Sequence, residues 1–266
     1  MAEPELPSFD LVVATVGRVE PLQRFLESLE RQTHRRFRVL LVDQNDDDRL
    51  AAVASSAVRL RSERGLSKAR NAALGRVTGD VVAFPDDDCV YPDDLLERVA
   101  QRFAAAASLD GLTGRDDSTR WPADATRLTR ENLWNRAISF TIFLRRDVAR
   151  RVGAFDERLG LPASSGEEID YLIRAIDAGA CVAYDPSVVV QHKATPRPLV
   201  QLGARDGASI GYILRKHGYP PRTVARMLVR PAAGAVLAAA RKDRARAHFQ
   251  LATLRGRIAG YREEVK

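Results

Sequence analysis

Four short apolar runs, each followed by a polar turn and separated by helical stretches, constrain this chain more than any other feature. The runs are Leu11-Val-Val-Ala-Thr15, Val39-Leu-Leu-Val42, Val58-Arg-Leu60 and Val81-Val-Ala-Phe84, short and strand-like. Between the first two, Leu22, Phe25, Leu26 and Leu29 recur at helical spacing. Helical patterns also cover Leu66 to Leu74 and Leu95 to Phe103. Apolar strands alternating with helices predict an α/β fold with a mainly parallel sheet covered on both faces. Further on, Gly111 to Glu131 reads as a polar loop and Ser139-Phe-Thr-Ile-Phe-Leu144 as a strand. Ile169, Leu172, Ile173 and Ile176 mark an amphipathic helix, and Val188-Val-Val190 a last strand. From Pro196 onward the pattern is helical and rich in Arg and Ala, without repeats or low-complexity linkers.

Several classes are disfavoured by composition. Cys89 and Cys181 form no CxxC pair, which speaks against a disulfide framework or a zinc site and fits a reducing cytoplasm. The start, Met-Ala-Glu-Pro-Glu, is acidic and unlike a signal peptide. Ala232 to Ala240, the longest apolar run near the C-terminus, has nine residues and is too short to span a bilayer. The net charge of +7 is uneven. Residues 200–266 carry fourteen Lys and Arg against four Asp and Glu, a balance of +10, and residues 1–199 balance at −3. Two regions with different partners are expected.

Ligands of parallel α/β sheets bind beyond the carboxyl ends of the strands. There this sequence is polar: Thr15-Val-Gly-Arg18 after the first strand, Asp43-Gln-Asn45 after the second, Asp86-Asp87-Asp88 after the fourth. Three adjacent carboxylates repel one another unless water or a cation screens them. A hard divalent ion, Mg²⁺ or Mn²⁺, would relieve the repulsion and grip a diphosphate; the plainer reading is an acidic turn before a helix. Asp43 could accept a hydrogen bond from a nucleobase N–H. Arg70, with Asn71 beside it in Gly65-Leu-Ser-Lys-Ala-Arg-Asn71, could meet a base or phosphate, although a surface ion pair is the commoner fate of an arginine.

In order and spacing these pieces resemble the family 2 glycosyltransferases of the GT-A fold. The matching parts are Thr15-x-x-Arg18, Val42-Asp43, Gly65-Leu-Ser-x-Ala-Arg-Asn71 and Asp86-Asp87-Asp88, then Gly153-Ala-Phe-Asp-Glu157 and Gly166-Glu-Glu-Ile-Asp170. The resemblance runs from about Phe9 to Thr195. It implies a GT-A catalytic domain over 1–198, with nucleotide-sugar binding in 1–115 and the acceptor side in 116–198, and a helical basic extension over 199–266. It further implies inverting transfer of a sugar from a nucleoside-diphosphate sugar, most simply a UDP- or dTDP-sugar, to a saccharide or lipid-linked acceptor. Thr15, Arg18, Asp43, Arg70, Asn71, Asp86 and Asp87 would hold the nucleotide, with Asp43 and Arg70 at the base and Asp86 at the ribose. Asp88 and His192, which follows the last strand, would hold the metal. The family shows Glu-Asp where this chain has Glu167-Glu168, so Glu168 would be the general base and Glu167 its alternate. From the residues alone, Ser165-Gly-Glu-Glu168 reads first as a capping box; the catalytic role is what the resemblance implies. The remaining histidines, His34, His217 and His248, show no partners in the sequence.

Near the C-terminus Leu251, Leu254, Ile258 and Tyr261 form a stripe flanked by Arg255 and Arg257, with Arg241, Lys242, Arg244 and Arg246 upstream. Such a segment suits peripheral contact with an anionic membrane, or packing of the stripe on the catalytic domain. Aromatic interleaving for nucleic acid is missing. Two other activities are compatible with the charges. One is nucleotidyl transfer, for which Thr15-Val-Gly-Arg18 makes a poor triphosphate loop. The other is a non-catalytic basic binding protein on a transferase scaffold.

Overall fold

The computed structural model describes residues 5–53, 56–118, 120–161, 164–192 and 198–264; Thr195 and Pro196, where boundaries were expected, lie outside them. The chain forms two compact units. One comprises Met1–Asp156 and Tyr171–Lys193, the other Glu157–Asp170 and Ala194–Lys266. This differs from the expected division at 198/199: the segment carrying Glu167 and Glu168 groups with the C-terminal helices.

In the first unit, β1 (Phe9–Thr15), β2 (Phe37–Asp43), β3 (Val58–Arg61) and β4 (Val81–Ala83) pair in parallel, in the order β3-β2-β1-β4. Between them run α1 (Val19–Glu30) and α2 (Leu66–Leu74); α3 (Leu95–Ala105) follows β5 (Cys89–Val90). Leu11, Val13, Leu41, Val81 and Ala83 share one core with Leu22, Phe25 and Leu29 of α1 and Leu95, Val99 and Phe103 of α3. The alternate residues Val12, Leu40, Val42 and Val82 are equally buried, as a sheet covered on both faces requires.

Beyond β4 the sheet continues through β8 (Phe143–Arg145), β6 (Gly111–Asp116), β9 (Val182–His192) and β5, and β7 (Thr126–Arg127) also pairs with β9. Here β6 and β9 are parallel, while β8, β5 and β7 run antiparallel to their neighbours. Two expectations are corrected. Gly111 to Asp116 is a strand in the middle of the sheet, not a loop. It has no apolar run because Gly111 and Gly114 sit where Leu144, Val182 and Val188 leave no room for a larger side chain. Ser139–Thr141 is a short 3-10 turn, and of the expected strand only Phe143 and Leu144 pair, in a strand that runs on to Arg145. Helix α4 (Arg146–Val152) follows β8, and α5 (Glu167–Asp177) precedes β9.

The second unit holds α6 (Leu199–Lys216), α7 (Pro221–Ala240) and α8 (Arg244–Arg262). The buried side of α8 is Ala247, Thr253, Gly256 and Gly260, not the expected stripe, and Leu251 of that stripe is exposed. Arg257 turns inward, donating to the Met227 carbonyl. Helix α7 exposes Val229, Val236 and Leu237. By length and composition it is apolar enough to cross a membrane, which the nine-residue run Ala232 to Ala240 understates because the helix is apolar on both sides of Arg226 and Arg230.

Candidate active site

The carboxyl ends of β1 and β4 meet at the Asp triplet, where Asp86 bridges to Ala14. A chain leaving a strand alternates its side chains, so the three carboxylates diverge. Asp87 turns inward and is buried, accepting a hydrogen bond from Thr15 Oγ1 at 2.6 Å and one from Arg18 Nη1 at 3.0 Å. Burial pushes its carboxyl above the usual range, against Thr15 and Arg18. Thr15, itself buried, thus holds Asp87. Asp86 and Asp88 stay accessible, with side chains 30% and 13% exposed.

The pairing of Cys89 with His192 brings β9 to this point. His192 Nε2 lies 3.1 Å from Asp88 Oδ1, and its ring stacks on Phe140 with centroids 4.6 Å apart. Arg18 Nη1 also pairs with Asp88. Burial opposes ionisation of Asp88, but His192 and Arg18 outweigh it and hold the carboxyl low. The same hydrogen bond raises the pKa of His192 against its burial. One ligand atom each from Asp86, Asp88 and His192 lies within 4.8 Å of the others. Two carboxylates and an imidazole fit Mn²⁺, or Mg²⁺ with added waters. Asp86 therefore joins the group that was expected to contain only Asp88 and His192.

Arg70 is buried between the rings of Phe84 and Phe155, 5.6 and 5.4 Å from their centroids. Its Nη2 donates to Ser139 Oγ and lies 3.7 Å from Asp86 Oδ1. It faces the Asp triplet instead of opening to solvent. Asn71 exchanges two hydrogen bonds with the main chain of Phe155.

At the end of β2, Asp43 is fully buried. Its Oδ1 accepts from Asn45 N and Nδ2 at 2.9 and 2.8 Å, and its Oδ2 from Arg59 Nε and Nη2 at 2.9 and 2.6 Å. Burial alone would raise its pKa; Asn45 and Arg59 turn the balance and lower it. Asn45 Oδ1 accepts from Gly17 N at 2.6 Å, and Gln44 Oε1 from Gly65 N at 2.7 Å, so the loops after β1, β2 and β3 are tied together. These polar supports, with Ser139 and Phe140, were not anticipated. In the sequence they show as the polar Asp43-Gln-Asn45 turn and as the alternation of Arg59 and Arg61 on a strand beside Asp43.

In the second unit, Ser165 does not form the expected capping box. Its N–H donates to Ser209 Oγ at 2.9 Å and its hydroxyl to Asp206 Oδ1 at 2.8 Å, and α5 begins one residue later, at Glu167. Glu167 is buried and Glu168 half-buried.

Residues 10–153 match the family model for glycosyl transferase family 2. Glycosyltransferase AglE of Haloferax volcanii is 26% identical over 213 residues, covering 72% of this chain and 68% of its own. The succinoglycan biosynthesis protein ExoM of Rhizobium meliloti is 26% identical over 249 residues, covering 85% and 76%. Of another relative, the pre-mycofactocin glycosyltransferase of Mycobacterium tuberculosis, the chain spans 42% of the length. Among solved structures, the mannosyltransferase PcManGT of Pyrobaculum calidifontis, in complex with GDP-Man and Mn²⁺, superposes with a TM-score of 0.69 at 17% identity, covering 97% of this chain and 88% of its own. At that identity the likeness is one of fold, the GT-A fold.

Proposed function

The chain belongs to glycosyl transferase family 2, and from that membership we propose that it moves a sugar, with inversion, from a nucleoside-diphosphate sugar to an acceptor hydroxyl. The observation that carries this reading is the convergence of Asp86, Asp88 and His192 beside Arg18 at the carboxyl ends of the strands. These three residues would hold Mg²⁺ or Mn²⁺, and when bound the ion supplies positive charge against the departing diphosphate. Arg18 supports the same phosphates from the loop after β1, its side chain being 37% exposed and its guanidinium paired with Asp88. Asp43, with Asn45 and Arg59, shapes the base end, and Arg70 orients Asp86. Glu168 takes the proton of the attacking hydroxyl.

A UDP- or dTDP-sugar is the proposed donor, and GDP-mannose, bound by PcManGT, is its competitor. The acceptor is a saccharide or lipid-linked saccharide in polysaccharide or glycolipid synthesis, in keeping with the name of ExoM. Family membership places the chain among glycosyl, not nucleotidyl, transferases. The basic second unit is proposed to contact an anionic membrane peripherally, on the cytoplasmic side.

The test is a thermal-shift panel of UDP-glucose, dTDP-glucose and GDP-mannose with and without Mn²⁺, followed by assay of nucleoside-diphosphate release. A donor that binds the native state must raise the melting temperature. Stabilisation and slow hydrolysis by one donor, only with metal, support the proposal; no shift with any donor overturns it.

A further inference from the structure

Helix α6 has two working faces, both within the second unit. On one, Gly203, Gly207 and Gly211 let the backbone of α8 approach so closely that a Cβ at Gly207 would lie 2.5 Å from the Thr253 carbonyl oxygen. On the other, four successive levels meet Ser165–Asp170, the segment that carries Glu168. Asp206 accepts from the Ser165 hydroxyl, and Ser209 accepts from the Ser165 N–H. Ile213 lies against Gly166, whose φ of +82° favours glycine and where a Cβ would come within 2.9 Å of Ile213 Cδ1. Lys216 Nζ and His217 Nε2 reach Asp170 Oδ1 at 2.7 and 2.8 Å, with Asp170 fully buried. His217, for which the sequence offered no partner, has one here.

Glu168 is therefore pinned on both sides: at Ser165 by two hydrogen bonds and at Asp170 by the side chains of Lys216 and His217. A helix start frays when nothing holds it, and a misplacement of 1 Å in a reacting group can cost about 100-fold in rate. We propose that this face of α6, through Asp206, Ser209, Ile213, Lys216 and His217, is a positioning surface that holds the Glu168 carboxylate for proton transfer. The C-terminal helices are then part of the catalytic apparatus, with α8 bracing α6 through the glycine face. The proposal rests on the reading of Glu168 as the base.

The test uses the full chain with Ser209→Ala, Asp206→Ala, His217→Ala and the conservative His217→Gln. Nucleoside-diphosphate release is measured with whichever donor of the panel turns over, together with nucleoside-diphosphate affinity by calorimetry and folding by circular dichroism. The expected result is kcat lowered 10- to 100-fold in the three alanine variants, with donor KM and nucleotide Kd within about 2-fold of the unsubstituted chain, and substantial recovery in His217→Gln, whose amide can still donate to Asp170. Unchanged kcat in folded variants overturns the proposal, as does an equal loss of kcat and nucleotide affinity. Should His217→Ala fail to fold, Ser209→Ala decides alone, since it removes one hydroxyl. Glu168→Gln separates the two readings. If it keeps full turnover, the base assignment is at fault; if it is inactive while the α6 variants are normal, the positioning surface is.

Discussion

The side-chain amide of Asn71 and the main chain of Phe155 hold each other in both directions: Asn71 Nδ2 donates to the Phe155 carbonyl at 3.0 Å, and Phe155 N–H donates to Asn71 Oδ1 at 2.7 Å. The Phe155 ring in turn stacks on Tyr171, with centroids 3.9 Å apart, and lies against the Arg70 guanidinium. Asn71→Ala should therefore cost about 1–3 kcal/mol of stability, the penalty for stranding buried polar groups. Nucleotide affinity should change little. Urea unfolding and calorimetry read the two effects separately, and a large loss of affinity with full stability would return Asn71 to the nucleotide.

Metal removal should weaken nucleoside-diphosphate binding at least tenfold, or about 1.4 kcal/mol. The reason is that Asp86 and Asp88 together would set two carboxylates against a diphosphate once the ion is removed. Calorimetry in EDTA and in Mn²⁺ measures the difference, and Asp88→Asn should reduce the metal dependence. Equal affinity in both buffers would take the ion out of the site.

Glu168→Gln should lower turnover about 10²- to 10⁴-fold while leaving donor affinity intact, because glutamine keeps the shape but cannot take a proton. Since Ser165 directs its N–H and O–H to Ser209 and Asp206, no capping box is lost in the same variant.

Acid stability should depend on Asp10, at the start of the parallel sheet. Its carboxylate accepts from Arg38 Nε and Nη2 at 2.7 and 2.8 Å and from the N–H groups of Thr78 and Gly79 at 2.6 and 2.8 Å. Burial works against the charge, but these partners outweigh it and the pKa is lowered. A group depressed in the folded state stabilises above its unfolded pKa and loses that contribution as pH falls through the folded value. Asp10→Asn should therefore destabilise by about 1–3 kcal/mol at neutral pH, with the gap closing below about pH 4. Denaturant midpoints at pH 7 and pH 3.5 would reveal this; a gap independent of pH would mean that Asp10 acts through shape alone.

Membrane contact should involve α7, whose exposed Val229, Val236 and Leu237 lie on a helix bearing Arg222, Arg226 and Arg230 and followed by Arg241 and Lys242. Each surface-near arginine can contribute about 1 kcal/mol of attraction to anionic lipid. Flotation with anionic vesicles should succeed at low salt, weaken at high salt and fall further in Val236→Asp with Leu237→Asp. Neutral vesicles should bind poorly. Failure to float with any vesicle would leave these arginines merely solvated.

Residues 9–103 were largely legible in the sequence because their signals are local. Apolar runs such as Val39 to Val42 bury themselves wherever they are placed, and the Leu22-to-Leu29 spacing permits little but a helix. The Asp triplet announced a charged site for the same reason: adjacency in sequence is adjacency in space. What each side chain then does was decided only by packing. Asp87 and Asp86 are neighbours of one type, yet one is drawn inward by Thr15 from another strand while the other is left beside Asp88 and His192. Arg70 and Asn71, expected at the nucleotide, are turned to Asp86 and Phe155 by elements about 70 to 84 residues away in the chain. Gly111 to Asp116 gave no strand signal because its neighbours' bulk, not its own hydrophobicity, sets its residues. The segment around Glu168 reads locally as a helix cap, and only the approach of α6 redirects Ser165 and pins Asp170. Periodicity reports what a segment will bury; the partner it buries against, and so the task of each polar group, is a property of the folded chain alone.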